Sequence, residues 1–236
     1  MATAIGERRP APIRPALLEP ARAAFYRPPV KTSEKVRRIA VTLDRLYPDV
    51  TPAFGRRDPF QMLVCTVLSA QTTDKMVARV VPDLFAMAGT AEQMARLPVR
   101  RIERSIRVLG LAPTKARHLK ALSRMLVDRH EGRVPRDRTL LEALPGVGHK
   151  TASVVLSQAF GLPAFPVDTH VHRLAIRWGL TSGKNVAQTE RDLKRLFPEE
   201  QWGKVHLQMI WFGRQHCPAR GHNRKACLIC GWAVSR

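Results

Sequence analysis

The segment Leu144-Pro145-Gly146-Val147-Gly148-His149-Lys150-Thr151 joins two helical patterns, and Val167-Asp168-Thr169-His170 starts another, with Asp168 eighteen residues after Lys150. A Pro-Gly-x-Gly turn between helices makes a tight hairpin, since glycine is needed where φ is positive or where backbone approaches a ligand closely. Gly146 and Gly148 stand just before a helix start, where unpaired N–H groups point one way and form an anion pocket. A DNA phosphate fits that pocket; an ordinary helical hairpin whose glycines only turn the chain is the alternative. Lys150, just inside the helix, and Asp168, at the head of the next, supply a nucleophile and an acid.

The remaining pattern is helical. Val36, Ile39, Ala40, Leu43 and Leu46 recur at helical spacing before Pro48, and Phe60 to Leu68 is apolar nearly all round, as in a buried helix. Ser69 to Asp74 reads as its exit loop, with Thr73 or Asp74 as cap for a helix carrying Met76, Val77, Val80 and Val81. Further helices are expected at 91–96, 100–108, 114–130, 137–144, 149–160, from near Asp168, at 186–196 and at 202–213, separated by turns with Pro or Gly. No period-two strand pattern and no internal repeat is evident. The expected fold is all-α, with two helical domains flanking a DNA-binding cleft. One domain spans 55–162 and ends in the helix-hairpin-helix at about 137–160; the other combines 31–54 with 163–236. Residues 1–30 hold six prolines and many arginines and read as a disordered, basic tail or an organelle transit peptide.

The 236 residues carry 40 Lys and Arg against 19 acids, a formal net charge of +21, which favours a polyanionic partner over a bland solubility surface. No apolar run approaches the ~18 residues of a membrane span, and the N-terminus lacks a secretory signal pattern. The four cysteines do not form a disulfide framework: Cys65 lies in an apolar helix, while Cys217, Cys227 and Cys230 crowd the C-terminus like a metal site in a reducing compartment.

Three separated segments, LSAQTTD (Leu68 to Asp74), LPGVGHKTASVVL (Leu144 to Leu156) and FPVDTHVHR (Phe165 to Arg173), resemble in order and spacing the endonuclease III family of the helix-hairpin-helix (HhH-GPD) glycosylase superfamily. The similarity runs from roughly Lys35 to Cys217. It implies a bifunctional DNA glycosylase and abasic-site (AP) lyase of base excision repair, acting on oxidised pyrimidines in double-stranded DNA. By this resemblance Lys150 attacks the anomeric carbon, the base leaves, and a Schiff base forms, from which β-elimination cleaves the strand. Asp168 stabilises positive charge on the sugar and manages protons around Lys150; as a residue it is also a good helix N-cap. Gln71 enters the space vacated by a flipped base, and Leu111 wedges between bases of the opposite strand. Gly146, Gly148 and Thr151 form the hairpin's phosphate contact. His170 supports the carboxylate, contacts a phosphate, or bonds within its own helical turn. His149 and His172 read as surface or phosphate-contacting groups. Ala112-Pro113-Thr114 departs from the family's usual sequence after the wedge leucine, which bears on opposite-base preference.

The family pattern C-x6-C-x2-C-x5-C holds a [4Fe–4S] cluster. Here Cys217 to Cys227 is three residues longer, Cys227 to Cys230 keeps its spacing, and Arg236 occupies the fourth position. Three readings stay open. His222 completes a Cys3His site for iron–sulfur or zinc, three cysteines hold a cluster with an outside ligand, or the site has decayed and Trp232 packs the end apolarly. The resemblance favours iron–sulfur. The expected enzyme is a monomer in a cytoplasmic, reducing compartment with the nucleoid. A monofunctional mismatch glycosylase using Asp168 to activate water and a non-catalytic DNA-binding module are the competing functions; Lys150 argues against both.

Overall fold

A computed structural model describes residues 30–233 except Arg56. The expected tail, but for Val30, and Arg236 lie outside the described residues. The chain forms α1 (Val30–Leu46), α2 (Pro59–Leu68), α3 (Asp74–Met87), α4 (Ala91–Arg96), α5 (Val99–Ser105), α6 (Ala112–His130), α7 (Arg138–Glu142) and α8 (His149–Phe160). Then follow α9 (Thr169–Arg177), α10 (Val186–Leu196), a 3₁₀ turn (Glu199–Gln201), α11 (Trp202–Gln215) and α12 (Cys230–Ala233). No strand occurs among the described residues, so the fold is all-α.

Local chemistry sets the helix starts. Asp58 caps α2 by accepting from the Phe60 and Gln61 amides, with Pro59 in the first turn, where a missing N–H costs nothing. Thr73 accepts from Met76 N at the head of α3, and Thr90 with Gln93 forms a reciprocal capping box on α4. The 3₁₀ turn and four-residue α12 are too short to announce themselves by periodicity.

Buried side chains collect into two cores. The first gathers α2 to α8: Leu63, Leu68, Val81, Leu84, Ile102, Leu119 and Val155 are all fully buried. Within it α2, apolar all round, packs between α8 and α6. The second core joins α1 to α9–α12 through Ile39, Leu43, Phe165, Leu174, Trp178 and Phe212. Trp178 meets Phe212 edge-on at 5.5 Å. α11 lies close on α9 because Gly213 has no side chain: a Cβ there would sit 3.1 Å from His170 Nδ1 and 3.2 Å from Arg173 Nη2. Alternation of the cores along the chain, with α1 returning to the C-terminal one, leaves a seam that α8 and α11 both face.

Polar groups bridge that seam. His149 on α8 contacts Glu142 Oε1 at 2.9 Å through Nδ1 and Glu190 Oε2 at 2.7 Å through Nε2, so it joins α7 and α8 to α10. Burial opposes charge on Glu190, yet hydrogen bonds from Lys194 and His149 outweigh it and hold the carboxyl below its ordinary value. Arg214 of α11 meets Asp74, at the head of α3, at 2.5 Å. His149 thus lies at the surface, as expected, but is held by two carboxylates, and His172 is likewise engaged, its Nδ1 lying 2.8 Å from Thr189 Oγ1.

Candidate active site and nucleic-acid interface

Lys150 and Asp168 line one cleft at the seam. From the first core come Thr66, Ser69, Lys150 and Gln158; from the second come Asp168, His206, Trp211 and Arg214. Lys150 is exposed in the first turn of α8, where the helix's positive end faces the cleft. Asp168 is partly exposed and caps α9, its Oδ1 accepting from Val171 N at 2.8 Å. The cap fixes the carboxylate's direction through one oxygen, which is the helix-capping role expected from sequence.

The hairpin takes the expected shape. Gly146 has φ +80°, and a Cβ there would lie 2.7 Å from His118 Nδ1 on α6, so both backbone conformation and space demand glycine. Val147 N donates to Leu144 O at 3.1 Å, closing the turn. Gly148 heads α8 with no side-chain cap, and open space surrounds the position its Cβ would take. The first-turn N–H groups are left without a side-chain cap. Thr151 follows, half-buried in the same turn. Gly146→Ala is expected to lower stability by roughly 1–3 kcal/mol through strain and the His118 clash. Duplex affinity should fall with it, and chemical denaturation beside a DNA-binding titration reads both.

Gln71 and Leu111 sit in left-handed backbone, at φ 54° and 61°, a conformation that side chains other than Gly, Asn and Asp rarely adopt. Both are exposed, Leu111 at 54%. Leu111 is thus held out of the core by its backbone conformation. The two loops are tied together: Lys115, four residues past Leu111, donates from Nζ to Thr72 Oγ1 at 2.7 Å, and burial lowers the Lys115 pKa. Ala112 and Pro113 form the first turn of α6, so the departure from the family sequence there stiffens the tip. His170 is half-buried with Nδ1 3.2 Å from Arg173 Nη2, and burial lowers its pKa.

Two groups on this site escaped the sequence reading. Lys115 shares the buried face of α6 with Ala112, Ala116 and Leu119, and His206 shares that of α11 with Val205 and Met209. A cation or imidazole inside an apolar stripe was the available signal. Burial, reinforced by the Lys150 charge and opposed by Asp168, pushes the His206 pKa down to about 4. The unfolded chain, with His near ~6.5, takes up a proton first as pH falls. Stability from this group is therefore complete above pH ~6.5 and is lost between there and about 4, by up to about 3 kcal/mol. His206→Asn should flatten the unfolding free energy across that window relative to the parent; an unchanged pH slope contradicts the assignment.

At the C-terminus the Cys217, Cys227 and Cys230 sulfurs and one His222 nitrogen lie within 4.8 Å of one another, a donor set able to hold metal. All three cysteines are buried. Cys65 belongs to the first core, where burial pushes its thiol up to about 11, and takes no part.

Comparison with known proteins agrees with this geometry. Residues 64–199 match the model of the HhH-GPD superfamily base excision DNA repair proteins. Endonuclease III of Bacillus subtilis (strain 168) is 39% identical over 198 residues, covering 82% of this chain and 90% of the relative. A non-covalent endonuclease III–DNA complex superposes with TM-score 0.80 at 40% identity, over 84% of this chain and 94% of that one. A trapped endonuclease III–DNA covalent intermediate does so equally, covering 93% of its own chain. A helix-hairpin-helix with lysine and aspartate on a shared cleft, matched along most of its length, makes this chain a member of the HhH-GPD superfamily of base excision DNA repair proteins.

Proposed function

We propose that the protein is a bifunctional DNA glycosylase and AP lyase that removes oxidised pyrimidines from double-stranded DNA. The observation that carries this reading is the shared cleft of Lys150 and Asp168 at the seam between the two cores. The cores are read as two domains, 55–162 and 31–54 with 163–236, gripping the duplex between them. The hairpin N–H groups of Gly146, Gly148 and the following turn, with Thr151, hold a phosphate beside the lesion. Gln71 fills the gap left by the flipped nucleotide, and Leu111 wedges the opposite strand. His170 supports this surface from the first turn of α9.

Chemistry follows from the pair. The neutral Lys150 amine adds to the anomeric carbon as the glycosidic bond breaks, and the base departs with the bonding electrons and gains a proton. Asp168 offsets the positive charge that builds on the sugar. Opening of the sugar ring leaves a protonated imine, which withdraws electrons and acidifies the neighbouring carbon. Loss of that proton drives out the 3′ phosphate, and water then hydrolyses the imine and frees Lys150. The enzyme is taken to act as a monomer on nucleoid DNA in the cytoplasm; four cysteines without a disulfide fit the reducing compartment of that reading. No helix among the described residues is long and apolar enough to cross a membrane.

Duplexes bearing an abasic site or thymine glycol, incubated with the protein and borohydride, test the reading. Covalent trapping is the expected result. Base release without trapping points to a water-using glycosylase, binding alone to a DNA-binding module, and either outcome overturns the proposal.

A further inference from the structure

We infer that the C-terminal donor set holds a single tetrahedral zinc ion, ligated by Cys217, His222, Cys227 and Cys230, in place of an iron–sulfur cluster. The inference is independent of the proposed chemistry at Lys150. Its basis is donor spacing. In a four-iron cube each thiolate lies beyond a different iron, which sets the sulfurs about 6 Å apart. Here Cys217 Sγ and Cys230 Sγ are 3.7 Å apart, and all four donor atoms fit within 4.8 Å, too tight for a cube. One zinc ion with bonds of ~2.3 Å to sulfur and ~2.0 Å to nitrogen, at tetrahedral angles, places sulfurs ~3.8 Å apart and sulfur ~3.5 Å from nitrogen. The Cys217 Sγ to His222 Nε2 distance is 3.5 Å.

The sequence agrees with the geometry. At the family spacing Arg236 stands where the fourth cysteine is expected, and the lengthened segment after Cys217 carries His222 at its middle. Three thiolates and a neutral imidazole leave a zinc site with one net negative charge, and a cation stands beside it. Arg177 Nη1 lies 3.2 Å from Cys217 Sγ and donates to Pro218 O at 2.7 Å. Arg173 Nη2 donates to Cys217 O at 3.0 Å, so α9 both orients the first ligand and neutralises the site. Four protein ligands leave no open position, which makes the ion structural: it fastens the C-terminal segment to α9 and α11.

The test is metal analysis of the full-length protein, expressed with zinc and iron both supplied and purified without oxygen so that an iron–sulfur cluster survives. Zinc near one equivalent per chain, with neither iron nor acid-labile sulfide, is expected. Iron with matching sulfide, or absence of both metals, overturns the inference. Cobalt substituted for zinc should show thiolate-to-metal charge transfer and the strong visible bands of tetrahedral coordination; the weak bands of an octahedral ion contradict it. His222→Ala should weaken zinc binding at least ~10-fold in competition with a chromophoric chelator, while His222→Cys retains it. Unchanged affinity in His222→Ala removes the histidine from the ligand set, and the cobalt spectrum of the parent protein stands even where that variant fails to fold.

Discussion

Lys150→Ala is expected to reduce strand cleavage at an abasic site by at least ~10³-fold, a loss of about 4 kcal/mol of transition-state stabilisation, and to abolish borohydride trapping. The magnitude follows from the role: removing a covalent nucleophile deletes the pathway rather than weakening one contact. The fold should not suffer. Lys150 is exposed in the first turn of α8, whose packing rests on Ala152, Val155 and Leu156, and alanine is a good helix former. Unfolding free energy should shift by no more than ~0.5 kcal/mol. Single-turnover cleavage assays beside a denaturation curve separate the two effects. A variant that keeps cleavage within a few-fold of the parent removes Lys150 from the chemistry.

Asp168 allows a sharper comparison, because one side chain serves both fold and reaction. Its Oδ1 accepts from Val171 N at 2.8 Å while the group lines the cleft with Lys150. Asparagine caps a helix about as well as aspartate but carries no charge. Asp168→Asn should therefore keep stability within ~0.5 kcal/mol and lower base excision by ~10²–10³-fold, about 3–4 kcal/mol. Asp168→Ala loses the cap as well and should be destabilised by a further ~1 kcal/mol. Equal activity losses with unequal stability losses are the predicted pattern. If activity instead tracks stability across the two variants, Asp168 is a cap and nothing more.

Much of this was legible in the chain. The longer helices follow from apolar spacing and caps: Asp58, Thr73 and Asp168 each bond a first-turn amide where a sequence reading puts a boundary. The hairpin was legible because Gly146 needs positive φ, and Lys150 and Asp168, singled out through the family resemblance, line one cleft. Groups whose partners lie far along the chain were not. Lys115 pairs with Thr72, His149 with Glu190, and Arg214 with Asp74 across the seam, and no local period announces any of them. His206 is the clearest case. Its neutral state arises from burial in the packed protein, reinforced by the Lys150 charge and opposed by Asp168, none of which a local pattern announces. The metal donors lie between these extremes: the cysteines were visible, but the choice of ion depended on distances between sulfur and nitrogen.

The most direct measurement is the identity of the residue that carries the sugar. The borohydride-reduced adduct formed with an abasic duplex is digested with protease and nuclease, and the modified peptide is sequenced by mass spectrometry. The account predicts deoxyribose-derived mass on the Nζ of Lys150, within the peptide that follows Gly146-Val147-Gly148-His149. Mass on another lysine or on the N-terminal amine, with Lys150 unmodified, would contradict it.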